Sequence, residues 1–249
     1  MIRTLALGLY LGLAIVLALP WLILWSVIVG NPDLMYGLAM KVVRFGNRIA
    51  GIRVRVEGLE NIPPGACVFT ANHVSNVDAL AFIPAIPRRV AILIKQELLR
   101  IPILSIGMRR AQFIPVDRSD REAAAASIEV AVSTLQQGLS FAIFAEGTRS
   151  ADGHLRPFKR GAFSVAIAAG VPIVPVSIAG TLALLKKGDW TVRPGEVVVR
   201  YGRAVETSAY KMEQRSELLT RVEALVASGL PPDQQPLARS PRATSAPTA

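Results

Sequence analysis

From residue 4 to residue 30 no side chain carries a charge, and nearly every one is apolar. No other stretch limits the fold so strongly. About 20 such residues span a bilayer, so the run predicts a membrane-anchoring helix, the alternative being a helix buried in a soluble core. It is too long for a signal-peptide core, and no small-x-small cleavage site follows it. Pro20 lies inside the run and predicts a kink or break there. Trp21 and Trp25 suit an interface or a helix contact.

A second helix is expected over residues 32–50. Lys41, Arg44 and Arg48 recur at spacings of three and four, and Leu34, Leu38, Val42, Phe45 and Ile49 form an opposing apolar stripe. Such a helix either lies in an anionic interface or is an ordinary amphipathic helix packed on its own domain. The two segments together fit a bilayer span or a hairpin in one leaflet. In either case a basic body favours the cytoplasmic side of the cell (inner) membrane.

After Gly51 the pattern becomes that of an α/β domain. Seven apolar runs, at 53–57, 66–71, 90–94, 112–116, 140–145, 173–178 and 196–201, read as strands. Several are continuous rather than alternating, as in strands covered on both faces. Helical stretches separate them. The clearest is 120–137, with a Ser119–Glu122 capping box and Gly138 at its stop. A last amphipathic helix is expected over 207–228, carrying Leu218, Leu219, Val222, Leu225 and Val226. The predicted organisation is anchoring helices at 1–50, an α/β domain at 51–229, and a disordered tail at 230–249 rich in Pro, Ser, Ala and Arg. There is no internal repeat.

Polar clusters follow the strands, where ligand sites of open α/β sheets gather. After the second strand comes Asn72-His73-Val74-Ser75-Asn76-Val77-Asp78. An imidazole can take a proton from an alcohol near neutral pH, and a carboxylate that fixes its tautomer strengthens it. On a straight helix, residues five apart diverge by about 140°. His73 and Asp78 therefore meet only if the chain turns between them, and Ser75 and Asn76 suit that turn. His73 is the candidate general base, in the strand-to-helix loop. Asp78 is its orienting partner, in the first turn of the next helix.

After the fifth strand comes Glu146-Gly147-Thr148-Arg149. Arg149 can fork onto a phosphate. Gly147 allows close backbone approach, Thr148 offers a hydroxyl, and Glu146 can accept from an acceptor hydroxyl or brace Arg149. Lys159 and Arg160 add cations before a helix. Asp117-Arg118 ends the fourth strand, making Arg118 a second phosphate candidate or half of a capping salt bridge. Eight basic residues against three acidic between Arg88 and Arg121 fit an anionic substrate or a solvated face. The segment 171–176 holds two prolines and should be an edge or bulged strand, bordering an acyl-chain groove or forming plain core.

The formal net charge is +10, which favours anionic partners. Only 6% of residues are aromatic, and no nucleic-acid-binding signature is present. No metal-ligand cluster, Walker loop, dinucleotide glycine motif or Gly-x-Ser-x-Gly elbow occurs; His154 has no spaced partner. The single cysteine, Cys67, cannot form an intramolecular disulfide and reads as core rather than as an acyl-accepting nucleophile.

These segments, in this order, resemble the glycerolipid acyltransferase family of the 1-acylglycerol-3-phosphate acyltransferase type. Its Asn-His-x-x-x-x-Asp motif is met by Asn72, His73 and Asp78. Its Phe-Pro-Glu-Gly-Thr-Arg-Ser motif is met from Phe144 to Ser150 except at Ala145; its Phe-Ile-Asp-Arg motif is matched at Asp117 and Arg118, with Pro115 and Val116 in the two apolar positions. The apolar Pro-containing strand corresponds to 171–176. The resemblance covers about 53–203 and implies a mixed sheet of about seven strands flanked by helices, behind a hydrophobic helical membrane anchor. It implies that His73 deprotonates the free hydroxyl of lysophosphatidate, which attacks the thioester of acyl-CoA or an acyl-carrier protein. Arg118 and Arg149 would hold the glycerol phosphate, with Asn72, Lys95, Glu146, Gly147 and Thr148 as further substrate-binding candidates. No metal or tightly bound cofactor is expected. Another lysophospholipid or lyso-aminolipid acceptor, or thioester hydrolysis, remains open on the same residues.

Overall fold

The computed structural model describes residues 1–116 and 121–237. The uncharged run forms α1 (Ile2–Leu13) and α2 (Leu19–Val29), joined by a π-helical segment, Ala14–Ala18. Together they make one 28-residue helix with an 18-residue stretch of mean hydropathy 2.5, long and apolar enough to cross a membrane. Pro20 does not break it. A proline has no N–H for the preceding turn and crowds the carbonyl there, and the wider π-helical turn lies immediately before it.

Gly30 ends the helix in the left-handed region, with φ 71°. Asn31 then caps α3 (Pro32–Ala50), its side chain accepting from Asp33 N–H at 2.8 Å. The chain thus reverses within two residues. α3 runs back along α1, which Gly46 permits: a Cβ there would lie 3.1 Å from Leu7 Cδ1. The rings of Tyr10 and Phe45 meet at 5.4 Å. The other side of α3 faces the domain. Asn47 Nδ2 donates to the Leu80 carbonyl at 2.8 Å, and Arg44 donates to the Pro84 carbonyl, both on α4 (Val77–Ala85). One side of this helix therefore packs on its own domain. Arg44, expected in an outward basic stripe, is spent on α4, while Leu34 and Phe45 remain exposed.

The sheet has seven strands: β1 (Ile52–Glu57), β2 (Val68–Ala71), β3 (Val90–Lys95), β4 (Ile114–Val116), β5 (Ser140–Phe144), β6 (Ile173–Ala179) and β7 (Gly195–Tyr201). Their order is β1-β7-β6-β2-β5-β3-β4, and all neighbours are parallel except β6 and β7. Between strands lie α5 (Pro102–Arg110), α6 (Arg121–Gln136), α7 (Gly161–Ala169) and the short α8 (Thr181–Leu184); α9 (Arg215–Ser228) closes the domain. Cores form on both faces. Phe69, Phe82, Val176, Ile178 and Tyr201 share one, and Val68, Phe141, Phe163, Ile173, Leu218 and Val222 the other. Burial on both sides explains the unbroken apolar runs.

The proline-bearing strand is not an edge. β6 lies between β7 and β2. Its ladder is irregular where Pro175 lacks a donor. Val176 pairs with Tyr201 and Ile173 with Val205, so three steps on β6 oppose four on the other chain. The extra residue is a bulge opposite the proline.

Near the C-terminus, residues 230–237 depart from the expected disorder. Leu230 and Gln234 are buried, and the Gln234 carbonyl accepts from Leu155 N–H at 2.9 Å. The last helix begins later than expected, because Thr207 turns its hydroxyl onto the Val171 carbonyl at 2.9 Å. Residues 238–249 lie outside the described residues.

Candidate active site

The sheet order makes β2 and β5 neighbours, with Ala71 opposite Phe144. The two loops that leave their carboxyl ends are tied together. Ala145 N–H donates to the Ala71 carbonyl at 3.0 Å, and Ser150 N–H to the His73 carbonyl at 2.8 Å. His73 N–H donates to Glu146 Oε1 at 2.6 Å. The segments Asn72–Asp78 and Glu146–Arg149 therefore lie together at the carboxyl ends of two neighbouring strands.

His73 and Asp78 meet. The ring Nδ1 lies 2.8 Å from Asp78 Oδ2. The same oxygen accepts from Val74 N–H at 2.7 Å and Ser75 N–H at 2.8 Å. The turn is made as expected: Asp78 sits in the first turn of α4, and Ser75 Oγ accepts from Val77 N–H while donating to the Leu185 carbonyl at 2.7 Å. An oxygen that already accepts two N–H groups acts as an acceptor, so Nδ1 carries the proton and Nε2 presents a lone pair. Phe144 stacks on the imidazole, with centroids 4.0 Å apart and planes 17° apart. The His73 side chain is 19% exposed and Asp78 is fully buried, so the ring alone reaches the surface.

Asn72 is buried, and its amide is spent within the fold. Nδ2 donates to the Ile178 carbonyl at 2.9 Å, and Oδ1 accepts from Ile178 N–H at 2.8 Å. Glu146 is buried too. Its oxygens accept from His73 N–H and, at 3.3 Å, from Arg156 N–H, so it braces two backbone segments. Burial pushes its carboxyl up to about 8, against the lowering effect of those two N–H groups.

Gly147 turns with φ 71°. The stem of Lys159 lies across it: a Cβ at Gly147 would be 2.8 Å from Lys159 Cδ and Cε. Lys159 is held by its own N–H, which donates to the Ala145 carbonyl at 2.8 Å. Thr148 is exposed and Arg149 half-buried. Among the described residues no carboxylate pairs with Arg149. Lys187 reaches the same loop, its Nζ donating to the Arg149 carbonyl at 3.4 Å.

Lys95 ends β3, opposite Val116 of β4. Asp117 and Arg118 follow β4 in the chain and lie outside the described residues. Phe144, which the sequence offers only as the start of a motif, and Lys187, for which it gives no signal, also reach the site. Only the register of β2 against β5, and the return of the chain after α8, bring them in.

Cys67 is fully buried at the start of β2, away from the carboxyl end that carries His73. Burial pushes its thiol up to about 11. His154 meets the Gln235 carbonyl at 2.9 Å. Among the described residues no group of three His, Cys, Asp or Glu is placed to hold a metal ion.

The arrangement is an oriented imidazole beside a loop of cations, able to take a proton near a bound anion. Known proteins resemble this chain in sequence and fold. A family model described as acyltransferase matches residues 53–179. The 1-acyl-sn-glycerol-3-phosphate acyltransferase of Limnanthes douglasii is 32% identical over 232 residues, covering 93% of this chain and 80% of that protein. The alpha form from Bos taurus is 34% identical over 174 residues, 69% of this chain and 61% of that one. The crystal structure of the 1-acyl-sn-glycerophosphate (LPA) acyltransferase PlsC from Thermotoga maritima superposes with a TM-score of 0.80 at 31% identity, covering 92% of this chain and 95% of that one. Fold and sequence agree over most of the chain, and it belongs to the acyltransferase family of enzymes.

Proposed function

We propose that this enzyme moves a fatty acyl group from a thioester donor, acyl-CoA or acyl-carrier protein, to the free hydroxyl of 1-acylglycerol 3-phosphate, giving phosphatidate. The His73–Asp78 pair carries the proposal. His73 Nε2 takes the hydroxyl proton as the acceptor oxygen attacks the thioester carbonyl. The C–S bond then breaks, and the leaving thiolate takes the proton back from the imidazolium. Asp78 holds the Nδ1 proton and stabilises the transient charge.

Arg149 holds the acceptor phosphate by a two-pronged contact, with Lys159 adding charge across Gly147. Lys95 and Arg118 are the further phosphate ligands proposed from the sequence. Asn72, bound to Ile178 of β6, and Glu146, bound to the backbone at His73 and Arg156, serve by holding the loops in place. The scheme routes no step through a metal or bound cofactor. The relatives named above, which are lysophosphatidate acyltransferases by name, support the choice of acceptor. The apolar helix of α1 and α2 anchors the enzyme, and the net charge of +10 favours the cytoplasmic face of the cell membrane.

The test is transfer from labelled oleoyl-CoA, by purified protein in detergent, to lysophosphatidate and to a neutral lysolipid, repeated with acyl-carrier protein as donor. Phosphatidate should form, with little neutral product. Strong preference for the neutral acceptor would remove the phosphate roles of Arg149 and Lys159. Free fatty acid released at a rate indifferent to acceptor would replace transfer with hydrolysis.

A further inference from the structure

The segment between β3 and β4 has an apolar face that the proposed chemistry does not use. It consists of a 3-10 turn, Gln96–Arg100, followed by α5. Leu98, Ile101 and Ile106 are 38, 45 and 53% exposed. Pro102, Ile106 and Arg109, at helical spacings of four and three, all lie on the outside. A nine-residue helix that exposes isoleucine on its outer face has put its apolar side where a soluble helix keeps its polar one.

This face continues into the membrane-type helix. α2 and α5 are locked together. Leu19 Cδ1 would be 3.3 Å from a Cβ at Gly107, so the glycine allows the close approach. Arg110 Nη2 donates to the Ser26 carbonyl at 2.8 Å, and its Nε approaches Ser26 Oγ at 3.4 Å. On the far side of that contact α2 exposes Trp21, Leu24, Trp25 and Ile28. The segment carries Arg100, Arg109 and Arg110 against Glu97 alone, and Arg100 and Arg109 are exposed. Apolar side chains flanked by arginine are the composition of a helix seated at an anionic lipid surface.

We infer that residues 96–110 form a second lipid-contacting surface, seated in the same anionic bilayer as α2. The inference rests on the membrane attachment proposed above. It adds that the carboxyl end of β3, from which this segment leaves, is held against the lipid. The acceptor then reaches the cation site with its acyl chain still in the bilayer.

The experiment uses the full chain reconstituted with vesicles of phosphatidylglycerol and phosphatidylcholine whose acyl chains carry bromine. An environment-sensitive fluorophore is attached at one of three single cysteines, Ile106→Cys, Leu24→Cys or Glu213→Cys. The buried Cys67 is replaced by alanine. The label at Ile106 should shift to the blue and be quenched by bromine, as at Leu24, while the label at Glu213 is not. Quenching at Leu24 with none at Ile106 would overturn the inference and leave the anchor standing. No quenching at either position would overturn both. A blue shift at Ile106 without bromine quenching would assign this face to a protein neighbour and also overturn it.

Discussion

Asn72 holds Ile178 by both ends of its amide, Nδ2 to the carbonyl at 2.9 Å and Oδ1 to the N–H at 2.8 Å. A side chain at the end of β2 thus continues the pairing with β6 after the strand itself has stopped. Asn72→Ala leaves two buried backbone groups unpaired and should cost about 2–3 kcal/mol. The check is the thermal unfolding midpoint in detergent alongside acceptor kinetics. A substrate contact would instead raise KM and leave the midpoint in place.

The strands were legible because burial on both faces makes continuous apolar runs, and the site loops because polar residues follow those runs. His73 and Asp78 could be paired from their spacing and the turn formers between them. The work of Asn72 could not be read, because its partner is 106 positions away in a strand whose place in the sheet depends on strand order. The same holds for Glu146 against His73, and for Phe144, whose ring reaches the imidazole only through the register of β2 against β5. Pro175 pointed to an edge or a bulge, and the sheet chose the bulge by placing one extra residue opposite it. The turn of residues 230–237 onto Leu155 was hidden by a composition that elsewhere signals disorder.

Asp78 should govern rate more than affinity. Asp78→Asn can keep an oxygen facing Val74 N–H, Ser75 N–H and the ring, but not the negative charge that stabilises an imidazolium. In a His–Asp pair of this kind the loss is about a thousandfold or more in kcat. KM for the acceptor should stay near that of the wild type. A fall in affinity with little change in kcat would place Asp78 outside the proton transfer.

Glu146 gives the fold a pH dependence of defined sign. Its carboxyl is pushed up to about 8 from an ordinary value of 4.5. Between those two values the folded protein keeps a proton that the unfolded chain has lost. Its contribution to stability is therefore full below the lower value and is lost as pH rises through the upper one. Glu146→Gln is neutral throughout, and its Oε1 can still accept from His73 N–H. The difference in unfolding midpoint, wild type minus variant, should fall as pH is raised across this window. A difference that is flat or rises with pH would contradict the assignment of a buried, proton-holding carboxyl.

Gly147 and Lys159 should behave as a coupled pair. Alanine at Gly147 must adopt φ 71°, a left-handed conformation that costs about 1–2 kcal/mol for a residue with a Cβ. That Cβ also arrives 2.8 Å from Lys159 Cδ, so the lysine stem has to leave the loop. Lys159→Ala removes the charge and should raise KM for lysophosphatidate about tenfold, the worth of one charge-assisted hydrogen bond of about 1.5 kcal/mol. Gly147→Ala should raise KM comparably by displacing the same ammonium group, and it should also lower the unfolding midpoint. In the double variant the lysine is already absent, so the added Cβ has nothing to displace. The two effects on KM should therefore fall short of multiplying, while the stability cost of the left-handed alanine persists. Fully multiplicative KM effects would mean that Gly147 and Lys159 serve the acceptor by separate routes.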